Sequence, residues 1–327
     1  MFKAILLDQL EKKTIATVTE LDEQRLPQSD VTVAVQFSSI NYKDGLAVTG
    51  KGKIIRDFPM VPGIDFAGKV ISSSDNRFKE GQHVVLTGWG VGETHWGGLS
   101  EKACVKADWL VPLPEGISAQ QSMMIGTAGL TAMLCVQALQ EAGIKPEDGE
   151  IVVTGASGGV GSVAITLLAQ LGYQAVAVSG RASENGEWLK SLGASRVIDR
   201  DELNQPAKPL EKQLWAGAID TTGSTMLAKV LSQISYGGAV AACGLACGFD
   251  LPTTVMPFIL RGVRLLGVDS VYAPIEKRQR AWKQIGEVLP ESFYRQSCKE
   301  IALEDVPAAA SDIVDGNVSG RLVVKVQ

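Results

Sequence analysis

Histidine and cysteine are both scarce in this chain: two histidines (His83, His95) and five cysteines occur among 327 residues. Cys104, Cys135, Cys243, Cys247 and Cys298 are scattered and odd in number, which argues against a disulfide framework and fits a reducing, cytoplasmic compartment. A zinc site needs three or four N, S or O ligands at suitable spacing, and none is visible in the sequence. Cys243-x-x-x-Cys247 reads instead as a strand end beside a ligand cleft. Basic runs are missing too, and the formal net charge is −5, so nucleic acid is not expected as the main partner. No uninterrupted apolar run reaches membrane length, so no membrane partner is expected. The N-terminal stretch, broken by Asp8, Glu11, Lys12 and Lys13, reads as neither a signal peptide nor a span.

What is present is ordinary globular composition, 45% hydrophobic and 20% charged. The length exceeds one ordinary core and predicts more than one domain. Residues 1–123 carry short β-type runs (31–37, 66–71, 83–86) between Pro and Gly turns, the pattern of a β-rich domain. A helical stretch from about Ala119 to Ala142, interrupted by Gly126 and Gly129, leads into residues 124–270, where the pattern alternates. Strands are expected at 151–155, 174–179, 196–198, 216–220, 238–243 and 263–269, with helices at 159–171, 184–192 and 225–234. This is the pattern of an α/β, doubly wound parallel sheet. The returning segment 271–327, with a helix at 276–288 and a strand at 321–326, is expected to complete the first domain.

The centre of the second domain is the run IVVTGASGGVG at 151–161. A β-branched run ends at Thr154, and apolar residues then recur at Val160, Val163, Ala164, Leu167, Leu168 and Leu171, one face of a helix. Strand, glycine turn and helix N-terminus together form an anion site: the backbone comes close to a diphosphate, and unpaired N–H groups attract its charge. Ala156-x-Gly158-x-x-Gly161 stands where G-x-G-x-x-G is expected in a dinucleotide fold. Roughly 20 residues later, where an Asp or Glu would read the ribose of NAD, the chain has Ser179-Gly180-Arg181. A hydroxyl, a glycine and a guanidinium suit a 2′-phosphate, and NADPH is the expected cofactor.

A β-rich domain ahead of this turn, with SSINYKD at 38–44, PGIDFAG at 62–68, GGLSE at 97–101 and GTAGLTA at 126–132, resembles the medium-chain dehydrogenase/reductase superfamily over essentially the whole chain. That resemblance implies a Rossmann domain with a GroES-like β-rich catalytic domain. Where zinc members carry a Cys in the first-domain loop and a His-Glu pair after the Pro-Gly turn, this chain has Asn41 and Ile64-Asp65, so it resembles the zinc-free quinone oxidoreductase branch. NYKD at 41–44, Ser179-Gly180-Arg181 and LRGVRLLGVDS at 260–270 are similar to the bacterial group of NADPH-dependent acrylyl-CoA reductases.

Without zinc, a conjugated acceptor is easier to reduce than a simple carbonyl. Hydride from the nicotinamide enters the β carbon of an enoyl thioester, and the enolate takes a proton at the α carbon. The protein must position the reactants, offer donors to the oxyanion and supply one proton. Tyr42 is the candidate proton donor or oxyanion ligand, equally readable as a wall residue touching the cofactor with water as the proton source. Asn41 beside it is the candidate amide donor, and Lys43 with Asp44 would orient the loop. By resemblance and by place at strand ends, Ser157, Gly158, Gly159 and Val160 are expected on the diphosphate and Ser179, Gly180 and Arg181 on the 2′-phosphate. Leu245, Ile259 and Ser270 are expected around the nicotinamide, with Arg200 near the adenosine end and Asn317 as a late contact. Lys51, Lys53 and Arg56 are candidates for coenzyme A phosphates, and Trp89 with Trp96 for a small apolar wall; a solvated loop and ordinary core are the alternatives.

Three other functions remain open or are tested by sequence. An NADPH quinone oxidoreductase shares fold and cofactor and stays open, as does a non-catalytic NADPH-binding protein. A short-chain dehydrogenase would match the glycine run, but none of Tyr173, Tyr236, Tyr272 and Tyr294 is followed four residues later by Lys. The strand at 263–268, by resemblance, is a sheet edge that pairs across a two-fold axis, so a homodimer is expected.

Overall fold

The computed structural model describes residues 1–327, and the chain divides into two units. Unit one is Met1–Thr127, Val271–Gly286 and Tyr294–Gln327; unit two is Ala128–Ser270 and Glu287–Phe293. The elements begin β1 (Phe2–Leu10), β2 (Lys13–Leu21), β3 (Val31–Ile40), α1 (Tyr42–Thr49), β4 (Asp65–Ser73), β5 (His83–Thr87), β6 (Lys102–Val105), β7 (Val111–Pro112) and α2 (Ala119–Glu141). They continue as β8 (Glu150–Val153), α3 (Gly159–Gln170), β9 (Gln174–Ser179), α4 (Ala182–Ser191), β10 (Arg196–Asp199), α5 (Arg200–Leu203), β11 (Trp215–Asp220), α6 (Ser224–Gln233) and β12 (Ile234–Ala242). The last are α7 (Met256–Arg261), β13 (Arg264–Gly267), α8 (Ile275–Val288), α9 (Glu291–Ser297), β14 (Cys298–Ala302), α10 (Val306–Val314) and β15 (Arg321–Lys325).

Unit one is built on antiparallel pairing. In β3 the alternation of buried Val31, Val33 and Val35 with half-buried Thr32 and Ala34 is the period of a strand with one face on a core. The sheet runs β14-β15-β3-β4-β5-β7, with β6 also on β3, and encloses Phe66, Leu86, Val105 and Val324 among others. Only β14 and β15 pair in parallel, and α10 supplies the crossover that a parallel pair requires. The sequence reading missed β14 and α10, because Lys299 and Glu300 interrupt the short apolar signal. It also treated residues 41–44 as a loop. They open a helix instead: Asn41 is the N-cap of α1, and Gly50 closes it at φ 67°.

Unit two holds a six-stranded parallel sheet in the order β10-β9-β8-β11-β12-β13, the doubly wound arrangement. Ile151, Val152 and Val153 of central β8 are fully buried, as a strand covered on both faces should be. The order reverses between β8 and β11, and ligands of such sheets bind outside the carboxyl ends at that switch point. Strand β12 begins at Ile234, earlier than the expected 238, because its pairing with β11 is broken by an irregularity between Trp215 and Gly217.

Helix α2 forms where a helical stretch was expected. It is long and apolar enough to cross a membrane by length and composition, and 83% of its most apolar stretch is buried within the protein. Gln, Ser and Thr interrupt its apolar residues. Its break falls at Gly126 (φ 54°, ψ −161°), while Gly129 continues the helix.

Candidate functional site

In unit two the turn after β8 is fixed by backbone bonds: the Thr154 N–H donates to the Ile219 carbonyl (3.0 Å), that of Ala156 to Val178 (2.9 Å) and that of Gly158 to Gly155 (3.0 Å). Gly161 lies so close to the Gly155 carbonyl and Ala156 Cα that a Cβ there would clash, so the third motif position must be glycine. Gly158 caps α3 in an extended conformation with no side-chain cap of its own. The first N–H groups of a helix have no partner within it, so Gly159 and Val160 present donors at the turn. Ser157, Gly158, Gly159 and Val160 are all partly accessible.

The next strand end gathers the residues expected at a 2′-phosphate. The Ser179 hydroxyl donates to the Ser157 hydroxyl (3.2 Å), linking the two turns, and accepts from the Arg181 N–H (3.1 Å). Asp199 pairs in register with Ser179, which places Arg200, one residue on, beside Gly180. A Cβ on Gly180 would lie 2.9 Å from the Arg200 Cζ. Ser179, Gly180 and Arg200 therefore converge, with Arg181 joined to Ser179 through its backbone N–H, and the Arg200 guanidinium lies beside a position without a side chain. That combination fits a phosphate monoester.

The remaining unit-two candidates are less tightly grouped. Leu245 (66% exposed) follows β12, and Ile259 (73% exposed) lies on α7. Ser270 follows β13, where its hydroxyl accepts from Thr131 (2.7 Å). Cys243 follows β12, its N–H bonded to the Asp220 carbonyl (2.9 Å), and Cys247 is exposed.

Unit one contains a buried polar network around Asn41. Asp65 on β4 is fully buried and accepts from Ser39 (2.7 Å), the Asn41 amide (2.8 Å), the Thr127 N–H (2.8 Å) and the Thr127 hydroxyl (2.5 Å). Arg321, 3% exposed, lies 4.0 Å from Asp65 and donates to the Asn41 carbonyl oxygen Oδ1 (3.1 Å), Ser39 (3.1 Å) and the Met124 carbonyl (3.2 Å). Burial lowers the Arg321 pKa, and Asp65 opposes that shift. A Cβ on Gly126 would sit 2.6 Å from both Arg321 Nη2 and Asp65 Oδ2, so the break in α2 admits no side chain.

Asp44 is the second buried carboxyl. It accepts from the Asn41 N–H (2.9 Å) and the Ile64 N–H (3.0 Å), and the Asn41 amide also reaches it (3.3 Å). Burial first, and the Asp65 charge second, push its pKa up to about 7. Asn41 thus commits its amide to two carboxyls and its oxygen to Arg321. Tyr42, the next residue, is 47% exposed at the first turn of α1.

The other unit-one residues singled out from the sequence separate. Lys43 pairs with Glu93 (2.9 Å) while Asp44 turns inward, so these neighbours do not act as one pair. Lys51 is held by Asp315 (2.6 Å), and Lys53 and Arg56 are exposed. Asn317 is exposed, with its N–H on the Asp312 carbonyl (2.8 Å). The tryptophans serve different neighbourhoods: Trp89 lies under the Arg278 guanidinium (4.6 Å to the ring centre) and edge-on to Tyr272, whereas Trp96 packs on Phe2, Leu21 and Val61.

Sequence reasoning missed Ser39, Asp65, Thr127 and Arg321. A signal existed: Asp65 and Arg321 are charged residues at the start of apolar strand runs, and buried charges are paired or functional. No three His, Cys, Asp or Glu side chains gather where they could hold a metal ion.

Residues 27–115 match the family described as the alcohol dehydrogenase GroES-like domain, and residues 159–287 match the zinc-binding dehydrogenase family. The chain belongs to the medium-chain dehydrogenase/reductase superfamily, in its zinc-free branch. It is 65% identical over 324 residues to the Escherichia coli protein described as "Probable acrylyl-CoA reductase AcuI", covering 99% of each. It is 53% identical over 329 residues to the acrylyl-CoA reductase AcuI of Ruegeria pomeroyi, covering 100% of this chain and 99% of that one. Among solved structures, the yhdH oxidoreductase of Salmonella enterica in complex with NADP superimposes with TM-score 0.98 at 63% identity, over 99% of this chain and 100% of that one. The zinc in the second family's name does not fit the side chains present here: Asp65, after the Pro-Gly turn, is taken up by Ser39, Asn41 and Thr127.

The raised Asp44 pKa has a consequence for stability. Between the ordinary value of 3.8 and about 7 the unfolded carboxyl ionises while the folded one keeps its proton. Its contribution to stability therefore falls as pH rises from about 4 to about 7 and is level above that. The denaturation midpoint of Asp44→Asn should gain on the wild type across that window and run parallel above it. A difference independent of pH would contradict the assignment.

Proposed function

We propose that this protein is a zinc-independent, NADPH-dependent reductase of the conjugated C=C bond of a short enoyl-CoA ester such as acrylyl-CoA. The observation that carries the cofactor assignment is the convergence of Ser179, Gly180, Arg181 and Arg200 at the ends of β9 and β10. The substrate assignment is supported by the two acrylyl-CoA reductase relatives, each matched over almost its whole length.

In this reading Ser157 through Val160 hold the diphosphate, and Ser179 to Arg181 with Arg200 take the 2′-phosphate. Leu245, Ile259 and Ser270 contact the nicotinamide half, and Asn317 is a late contact. NADPH, when bound, supplies the hydride for the β carbon. Tyr42 donates the α-carbon proton or a hydrogen bond to the developing oxyanion, and touches the cofactor. Asn41, clamped by Asp65, Asp44 and Arg321, sets where the first turn of α1 begins and so where Tyr42 stands. Lys53 and Arg56, exposed and cationic, meet the coenzyme A phosphates, joined by Lys51 when it leaves Asp315. The domain division proposed is 1–123 catalytic, 124–270 NADP-binding and 271–327 returning to the catalytic domain.

The protein is further proposed to work in the cytoplasm as a homodimer, without nucleic acid or membrane partners. Strand β13 is one of the two sheet edges, and Tyr236, Phe249, Val255 and Leu260 of the same unit are exposed apolar side chains at 79, 86, 64 and 55%. A second copy pairing along β13 would cover an edge that otherwise invites aggregation. Sedimentation at micromolar concentration should give a dimer; a monomer would rule this assembly out.

The deciding assay is NADPH oxidation against a panel of enoyl-CoA esters and quinones. A higher kcat/KM on acrylyl-CoA than on any benzoquinone is expected. The reverse would make the protein a quinone oxidoreductase, and no turnover with any acceptor would leave a cofactor-binding protein. In the same assay Arg181→Ala should raise the KM for NADPH roughly 10- to 100-fold, the loss of a charge-assisted bond, with little change for NADH. An equal loss for both cofactors would remove Arg181 from the 2′-phosphate.

A further inference from the structure

Three turns of unit two, at the carboxyl ends of β8, β11 and β12, meet around one residue, Thr221, the first through its side chain and the third through its backbone. Thr221, just past β11, donates its N–H to the Thr154 hydroxyl (3.0 Å) and its own hydroxyl to the Thr154 carbonyl (2.9 Å). Thr154 is the last residue before Gly155. The Thr154 hydroxyl in turn donates to Asp220 Oδ1 (2.7 Å), which also accepts from Thr222 (2.9 Å), while Asp220 Oδ2 accepts from the Gly223 N–H (2.7 Å). Asp220 is fully buried, so these bonds hold its carboxylate with little competition from water.

The other side of the same turn meets the segment after β12. Cys243 and Cys247 donate their N–H groups to the Asp220 and Thr222 carbonyls (2.9 and 2.8 Å). Glycines mark both contacts. A Cβ on Gly155 would run into the Thr221 hydroxyl, one on Gly244 into the Thr221 carbonyl, and one on Gly223 would come 2.5 Å from the Gly248 carbonyl. Backbones this close leave neither turn room to move without displacing Thr221. Packed interiors transmit such displacements instead of absorbing them.

We propose that Thr221 is a positioning residue that couples the Gly155–Gly161 turn to the 243–248 segment, its hydroxyl holding the first and its backbone lying against the second, so that one residue sets the spacing between the two halves of the dinucleotide site. The inference rests on the NADPH reading above, with the diphosphate on the first turn and Leu245 beside the nicotinamide. The Thr221 hydroxyl is itself committed to the Thr154 carbonyl. Ligands that span both turns should feel its loss, and ligands that do not reach the 243–248 segment should not, because they do not sense the spacing between the two.

The test uses the full chain and two probes: NADPH, followed by its fluorescence on binding, and adenosine 2′,5′-bisphosphate, which carries the 2′-phosphate but no nicotinamide. Thr221→Val keeps the shape and removes one hydrogen bond, so the Kd for NADPH should rise roughly 3- to 10-fold while that for the bisphosphate is unchanged. Thr221→Ser restores the hydroxyl and should recover most of the loss. Gly244→Ala, pressing on the Thr221 carbonyl from the opposite side, should reproduce the NADPH-specific weakening with unchanged circular dichroism. An unchanged NADPH Kd in Thr221→Val, equal weakening of both probes, or a serine variant no better than valine would each overturn the proposal. Failure of the wild type to bind NADPH would instead remove the cofactor reading, and would be seen before any variant is made.

Discussion

The constraint on which unit one depends is the pair of buried charges Asp65 and Arg321. Neither could be left alone: an ionised carboxylate or guanidinium taken out of water without a partner is costly. Their 4.0 Å separation is too long for a direct hydrogen bond, so the residues between them complete the compensation. Ser39 and Asn41 bridge the two, while Thr127 holds Asp65 and the Met124 carbonyl accepts from Arg321, drawing in the end of β3, the cap of α1 and the break in α2. Replacing either charge leaves the other buried and unpaired, and all three segments lose the group they are arranged around.

Unit two solves a related problem without an ion pair. Its central strands are apolar, but the turns at their carboxyl ends must bring backbone donors close enough to serve a diphosphate. Glycine permits that approach, and the Thr154–Asp220–Thr221 bonds fix it. The anion site is therefore stiff because of hydroxyl groups one or two residues beyond the strands. This explains why the glycine pattern alone is weak evidence: the same glycines would serve a plain packing turn.

Much of the architecture was legible because hydrophobic periodicity sets it. The buried β8 run and the α3 face both read correctly, since each is a local pattern whose meaning does not depend on distant residues. What could not be read was long-range. Arg321 looked like the polar start of a terminal strand, and only the pairing of β15 with β3 brings it to Asp65 and Asn41. Helix α1 escaped notice because its eight residues, with a glycine at Gly45, carry too short a pattern, while Asn41 as its cap was available to be recognised. The surroundings of the cations at 51–56 were likewise not legible: adjacent in sequence, they differ in the fold, where Lys51 is engaged by Asp315 near the far end of the chain while Lys53 and Arg56 are exposed.

A carboxyl with a pKa near 7 ordinarily marks a general acid. Asp44 has that property and still does not suit that role. Its two oxygens face the backbone N–H groups of Asn41 and Ile64, it is 1% exposed, and its proton is retained because burial and Asp65 make a second charge unfavourable there. Below about pH 7, with Asp44 neutral, one carboxylate faces one guanidinium, and the buried network carries no net charge. Tyr42, two residues earlier in the same helical turn, is the group open to a reactant. The residue whose pKa is displaced and the residue proposed to react are therefore different, and the first holds the helix start from which the second projects.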